Sequence, residues 1–377
     1  MACRVVKLAV AGSGKTYSLC QDVNDQEKTL ILAFTHANIR NIVNELIKKN
    51  QGDRISERTC VMTFDSFVYR YAVSPYLRTI ASFFGCEGQI LGGVTDTKPP
   101  TRMQWTPKGP VERPAYKKDD IRYYTDQGGR FYLSTLSELV ISVKKGRLSL
   151  LNDVATALSM FWERVLVDEF QDFRKFDYEF LVGICKKHRN VTLVGDYYQH
   201  SVAAKGNSGK PFKIKKHDVS YSEFVQELKN LGFTVDESSL NASRRCSVEI
   251  CEFVSLKLGV RISSCSPRRG SVVWVGDALA DQIMSNDRIV KLVYENARAM
   301  SYTACNWSYS KGDTYESVCV ILGESTNNLD MEYPDSTPRS QITANKLYVA
   351  MTRSSGDLYI MKDEIYRRWK ERHGISF

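Results

Sequence analysis

Two stretches decide the fold: Ala9-Val-Ala-Gly-Ser-Gly-Lys-Thr16, and Val165-Leu-Val-Asp-Glu-Phe-Gln-Asp172 about 150 residues later. The first follows the apolar run Val5 to Val10 and precedes an expected helix, Tyr17 to Val23, so its glycines fall at a strand-to-helix turn. Such a turn aims backbone N–H groups at an anion, and the helix dipole adds to the attraction. Ala11, Gly12, Ser13, Gly14, Lys15 and Thr16 are therefore the expected phosphate cradle, although Ala9 stands where the full pattern has glycine. Lys15 would reach the β- and γ-phosphates and Thr16 would offer its hydroxyl to Mg²⁺. In the second stretch three apolar β-formers run into two carboxylates, as expected at the C-terminal end of a buried parallel strand. Asp168 is the candidate Mg²⁺ holder through water, and Glu169 the candidate base for an attacking water.

A third segment, Val191-Thr-Leu-Val-Gly-Asp196-Tyr-Tyr-Gln199, is another apolar strand ending in a polar cluster. In RecA-like sheets such a strand lies beside the carboxylate strand, which makes Gln199 the candidate sensor of the γ-phosphate.

Composition bounds the rest. The chain has 377 residues, 43% of them hydrophobic, enough for sizeable cores and two or three domains. No run approaches transmembrane length, and Met1-Ala-Cys-Arg leads straight into the first strand, so a soluble, cytoplasmic or host-intracellular protein without a membrane partner is expected. The 10 cysteines show no Cys-x-x-Cys pair, the usage of reduced thiols and not of a zinc site. The formal net charge is +9 and unevenly placed. Between Lys98 and Arg147 eleven Lys/Arg stand against five acids, interleaved with Trp105, Tyr116, Tyr123, Tyr124, Phe131 and Tyr132. Cations mixed with rings suit a single strand, whose phosphates meet the charges while its bases stack. A solvated face over a small core is the competing reading. Lys205, Lys210, Lys213, Lys215 and Lys216 form a second basic run.

From here the chain resembles superfamily 1 helicases, with the local pattern of the UvrD/Rep/PcrA group, in six or more ordered boxes between residues 9 and 353. Thr29-Leu-Ile-Leu-Ala-Phe-Thr35 resembles segment Ia, which implies nucleic-acid contact at Phe34 and Thr35. Thr63-Phe-Asp-Ser-Phe67 resembles the Thr-Phe-His-Ser-Phe box, with Asp65 in place of histidine, and implies the same for Thr63, Phe64 and Ser66. The family's aromatic after Gln199 falls at Val202, leaving Tyr197, Tyr198 or His200 to stack on the strand. Leu240-Asn-Ala-Ser-Arg-Arg245 resembles the box with an arginine finger at Arg245, and Arg244 replaces the tyrosine that stacks on the nucleotide base. Arg288 to Asn296 resembles box IVa. Tyr309-Ser-Lys-Gly312-Asp-Thr-Tyr-Glu316 resembles box V, where Gly312 and Glu316 would meet phosphate and nucleic acid and Ser310 the strand, with Trp307 and Tyr309 facing either the core or the strand. Lys346-Leu-Tyr-Val-Ala-Met-Thr-Arg353 resembles box VI, which supplies the second finger, Arg353.

The resemblance implies an α/β fold of two RecA-like parallel-sheet lobes in tandem: a first lobe over 1–72 and 155–215, a small accessory insertion over 73–154, and a second lobe over 216–377. It implies an ATP- and Mg²⁺-dependent helicase or single-strand translocase, on single-stranded or partly duplex nucleic acid, with DNA favoured over RNA. A monomer with possible replication-protein partners, serving replication, repair or recombination, is expected. Asn296 and Tyr309 are too close in sequence for the group's large second accessory domain, so a minimal motor of the viral, phage or mobile-element sort is expected. Box V also looks like the version in the 5′→3′ branch, so both directions of travel stay open. A regulatory NTPase that does not unwind, and a P-loop kinase acting on a small molecule, are the alternatives.

Overall fold

The computed structural model describes residues 3–52, 54–107, 109–200, 209–215 and 217–375. Val202, Lys205, Lys108 and Lys216 lie outside them.

Six parallel strands form the first sheet: β1 Cys3–Leu8, β2 Thr29–Ala33, β3 Thr59–Thr63, β4 Arg164–Val167, β5 Asn190–Gly195 and β6 Thr234–Asp236, in the order β6-β1-β5-β4-β2-β3. Their composition explains the arrangement. All five residues of β2 are buried, as are Val165, Leu166 and Val167 of β4, so neither face has a polar side to offer water. Such strands are stable only with helices on both faces. Those helices include α1 Lys15–Gln21, α2 His36–Lys49, α3 Leu150–Phe161 and α4 Lys175–Lys187. The Thr35 hydroxyl caps α2 by accepting from the Asn38 N–H at 3.2 Å.

The edge strand β6 comes from beyond residue 215, where the sequence sets the end of this lobe, and pairs with β1 through Val5, Val6 and Lys7. Residue 154 lies inside α3, so the chain re-enters the lobe along that helix.

The second sheet is also all parallel: β7 Val272–Val275, β8 Ile289–Val293, β9 Ala304–Asn306, β10 Ser317–Ile321 and β11 Leu358–Met361, in the order β7-β11-β10-β8-β9. It carries α5 Val248–Leu258, α6 Gln341–Met351 and α7 Asp363–Arg372. Ser247 and Ser340 cap α5 and α6 with their hydroxyls. The chain is thus two α/β lobes in tandem, each built on a parallel sheet of the RecA-like kind. Among the described residues no helix is long and apolar enough to cross a membrane, and no cluster of His, Cys, Asp or Glu is arranged to hold a metal ion.

The insertion corrects the aromatic reading in part. Tyr124 and Phe131 join Leu136, Leu139 and Val140 in the first lobe's core and Tyr132 is buried as well, so they stack on no strand. Trp105 goes the other way: it is 80% exposed on a two-stranded hairpin, Thr101–Thr106 against Gly109–Pro114, with Arg102 paired opposite Arg113. Trp274, expected in a core, is 38% exposed, whereas Trp162 is buried as expected.

The centre of the first core is an aromatic cluster in which Phe180 of α4 lies 5.8 Å from Phe64 and 6.3 Å from Phe67, centroid to centroid. Phe180→Ala should lower unfolding free energy by about 3–5 kcal/mol, read as a lower guanidinium midpoint at unchanged slope. A loss under about 1 kcal/mol would show that this cluster collapses into the space.

Candidate active site

The ends of β1, β4 and β5 open on a cavity of about 840 Å³ between the lobes. It brings together Gly12, Gly14, Lys15, Thr16, Asp168, Glu169 and Gln199 from the first lobe and Arg245, Gly312 and Arg353 from the second. Those residues are spread over more than 340 positions of sequence. They meet because parallel strands all present their C-terminal ends to one side.

The loop after β1 turns through Gly12 at φ 75° and Gly14 at φ 85°, conformations that L side chains rarely adopt. A Cβ on Gly12 would also lie 2.7 Å from both Ser243 Oγ and Arg245 Cβ, so the second lobe leaves no room for one. Lys15 Nζ lies 3.7 Å from Glu169 Oε1, and the Thr16 hydroxyl donates to Asp168 Oδ2 at 2.7 Å. The Ser13 hydroxyl is buried without a partner.

Glu169 follows β4 in a left-handed conformation, φ 53°. Burial pushes its carboxyl up, but Lys15 and Lys311 outweigh that and hold it below the usual carboxylate range. Asp168 goes the opposite way, raised by burial and by the neighbouring Glu169 charge. A pair of acids driven apart in this manner divides labour: one stays ionised beside cations, ready to accept a proton. The motif spacing did not single out Gln171 and Lys311. The Gln171 amide donates to Glu169 Oε2 while its carbonyl accepts from the Asp196 N–H at 2.9 Å, so it fixes Glu169 against the next strand. Lys311 crosses from the second lobe to Asp172 at 2.6 Å. Burial opposes its charge, yet Asp172 and Glu169 keep its pKa above the ordinary lysine value.

Two guanidiniums face these acids. Arg245 donates to the Thr352 carbonyl at 3.1 Å, and Arg353 Nε to the Val349 carbonyl at 2.9 Å. Burial, with the nearby Arg245 charge adding, pulls Arg353 down to about 10. A buried Arg353 and a half-buried Arg245 converging on one cavity are costly unless an anion joins them. With Lys15 and the glycine turn, they fit a polyphosphate. Thr16 and Asp168 could hold the divalent cation that accompanies it.

Other expected positions are corrected. Ala11 does not line the cavity: its N–H donates to the Tyr348 hydroxyl at 2.8 Å. Ser13 and Glu316 are also outside the lining, Glu316 exposed to solvent. Arg244 does not line the cavity: its guanidinium lies over the ring of Tyr17, which does, at 5.4 Å, so one of its two faces is taken. Among residues expected to touch nucleic acid, Phe64, His200, Trp307 and Ser310 are buried. Trp307 donates its indole N–H to the Leu292 carbonyl at 2.9 Å, and Ser310 its hydroxyl to the Trp307 carbonyl at 2.8 Å, so both serve the second core. His200 stacks on Phe212 at 4.1 Å. Phe34 is half-buried, edge-on to Phe173 at 5.2 Å, and Tyr198 lies between Tyr221 and Tyr348. Thr63 accepts from the Ser66 N–H at 3.4 Å and donates to its hydroxyl at 2.8 Å, capping a short turn. Thr35 lines the cavity instead.

Residues 119–201, which hold β4, β5 and Gln199, match the family described as UvrD/REP helicase N-terminal domain. A probable DNA helicase II homolog of Mycoplasma genitalium is 27% identical over 102 residues, 27% of this chain and 14% of that protein. Arterivirus nonstructural protein 10, a helicase, superposes with a TM-score of 0.47 at 14% identity, over 97% of this chain and 61% of that one. The PRRSV helicase does so at 0.44 and 13%, over 97% and 53%. The chain therefore spans well under two thirds of the length of these relatives.

Burial drives His200 down to about 3, with the Arg174 charge adding to the effect. Between that value and the ordinary histidine pKa near 6.5 the unfolded chain binds a proton that the native one does not. Stability is therefore lost as pH falls below about 6.5, by up to about 1.4 kcal/mol per pH unit from this group. Urea midpoints of wild type and His200→Gln from pH 7 to 4 should diverge with the wild type the steeper; equal slopes would mean that His200 titrates normally.

Proposed function

We propose that this chain, whose residues 119–201 match the UvrD/REP helicase N-terminal domain, is a superfamily 1 helicase, an ATP-driven motor that moves along single-stranded nucleic acid and displaces the complementary strand. The observation that carries the reading is the meeting of Arg245 and Arg353 with Lys15 and Glu169 in one cavity between two lobes. A kinase for a small molecule has no need of two cations brought from a second parallel sheet.

Phosphoryl transfer is catalysed chiefly by positioning and charge. In this reading Lys15 leaves Glu169 for the β- and γ-phosphates, and Gln199 bonds the γ-phosphate. Glu169, kept ionised by Lys311 and oriented by Gln171, takes a proton from the attacking water. The water oxygen bonds to the γ-phosphorus as the bond to the β–γ bridging oxygen breaks, and Arg245 and Arg353 neutralise the developing charge. Thr16 and Asp168 would hold the Mg²⁺ ion, which would supply charge neutralisation on the phosphate oxygens. Because the arginines stand on the second lobe, gain and loss of the γ-phosphate change the force between lobes, and a strand bound across both is moved.

We take single-stranded DNA as the track, with the hairpin as its contact on the insertion. There Met103 and Trp105 share one face and Arg102 and Arg113 the other, side by side and like-charged, which favours a bridging phosphate.

ATP hydrolysis measured without nucleic acid, with single-stranded DNA and with single-stranded RNA, together with displacement from duplexes bearing 3′ or 5′ tails, tests the reading. Stimulation with displacement from one tail type is expected; stimulation without displacement would favour a regulatory NTPase, and indifference to nucleic acid a small-molecule enzyme. Lys15→Ala should abolish hydrolysis and leave oligonucleotide binding intact. Arg245→Ala should bind nucleotide but turn it over about 10³–10⁵ times more slowly; full turnover would remove Arg245 from the site. Trp105→Ala should weaken oligonucleotide binding about tenfold, in line with about 1–3 kcal/mol per stacked base, at unchanged unstimulated hydrolysis.

A further inference from the structure

Helix α6 does more than end beside Arg353. One of its turns lies against two loops of the first lobe at once. The Tyr348 hydroxyl accepts from the Ala11 N–H of the phosphate loop at 2.8 Å and donates to Asp196 Oδ2 at 3.2 Å. One turn earlier, the Asn345 amide donates to the His200 carbonyl at 3.0 Å. Asp196 and His200 flank the turn that carries Gln199, whose own N–H is bonded to the Asp196 carbonyl at 3.0 Å. Asp196 also accepts from the Tyr198 N–H at 3.0 Å, so its carboxylate is shared between the turn and the helix.

All three α6 contacts are buried. Asp196, Asn345, Tyr348 and Ala11 are each 1% exposed or less. An aromatic hydroxyl in such a place is retained at a cost unless both its donor and acceptor functions are met, and here both are. Burial, followed by the Asp196 charge, keeps the phenol protonated and therefore a donor.

We propose that Tyr348, assisted by Asn345, is a positioning residue that sets the phosphate loop and the Gln199 turn in register with Arg353, two residues past the end of that helix. The loop that grips the nucleotide, the turn that senses its terminal phosphate and the arginine that stabilises its transfer then shift as one body. The inference rests on the cavity being the hydrolytic site.

Tyr348→Phe keeps the ring against Tyr198 and removes only the hydroxyl; Asn345→Ala removes the second contact. Two readouts on the full chain separate this inference from the functional reading. Hydrogen exchange of peptides covering 9–16, without nucleotide, should quicken severalfold in Tyr348→Phe. In steady-state hydrolysis each variant should lose about tenfold or more in kcat while KM for ATP stays within about threefold, the pattern of an interaction felt in the transition state and not in ground-state binding. Unchanged exchange in Tyr348→Phe, or a rise in KM at unchanged kcat, would overturn the proposal. If the wild type hydrolyses no nucleotide, the functional reading fails on its own, and the exchange result still decides whether the hydroxyl holds the loop.

Discussion

The structure depends on one short run of backbone being held from outside its own lobe. Val10 N–H donates to the Leu240 carbonyl, Ala11 N–H to the Tyr348 hydroxyl, and Gly12 O accepts from the Arg244 N–H. Val10 and Ala11 are buried in the second lobe's core and not in the first's. The phosphate loop therefore belongs covalently to one sheet and by packing to the other. Its shape cannot change without the second lobe answering, which is the mechanical requirement for a site whose charge state is to be turned into movement between lobes.

The electrostatics follow from that placement. Lys15, Lys311, Arg245 and Arg353 are drawn to the same cavity as Asp168, Glu169 and Asp172. Desolvation strengthens every pairing among them and penalises every charge left over. Glu169 is held ionised by two lysines, one from each lobe, while burial and the Glu169 charge raise the Asp168 carboxyl above the usual carboxylate range. The two adjacent acids acquire different chemistry from surroundings that both lobes supply.

The aromatic residues show where reading along the chain runs out. Interleaving of rings with lysine and arginine looks alike whether the rings line a binding face or sit in a core beneath a charged surface. Tyr124 and Phe131 are in the core, and Trp105, a few turns of chain earlier, stands in solvent. Trp307 beside box V and Phe64 in the Thr-Phe box are likewise buried. A motif carries the local backbone that it specifies, but the direction in which a ring points depends on what packs above it.

By itself the sequence determined what is local and periodic: the glycine turn, which needs left-handed backbone at Gly12 and Gly14, and the buried parallel strands, whose unbroken apolar runs allow no exposed face. It also fixed the order of the charged boxes that end on one side of two sheets. Only the tertiary structure decided which groups are left to meet a ligand. Ala11's N–H went to Tyr348, Arg244's face to Tyr17, and His200 to Phe212, while Gln171 and Lys311 gained a place beside Glu169 that no spacing announced. The physical reason is that hydrogen bonds and burial are satisfied between segments far apart in sequence, so a polar group's availability is a property of its neighbours in space.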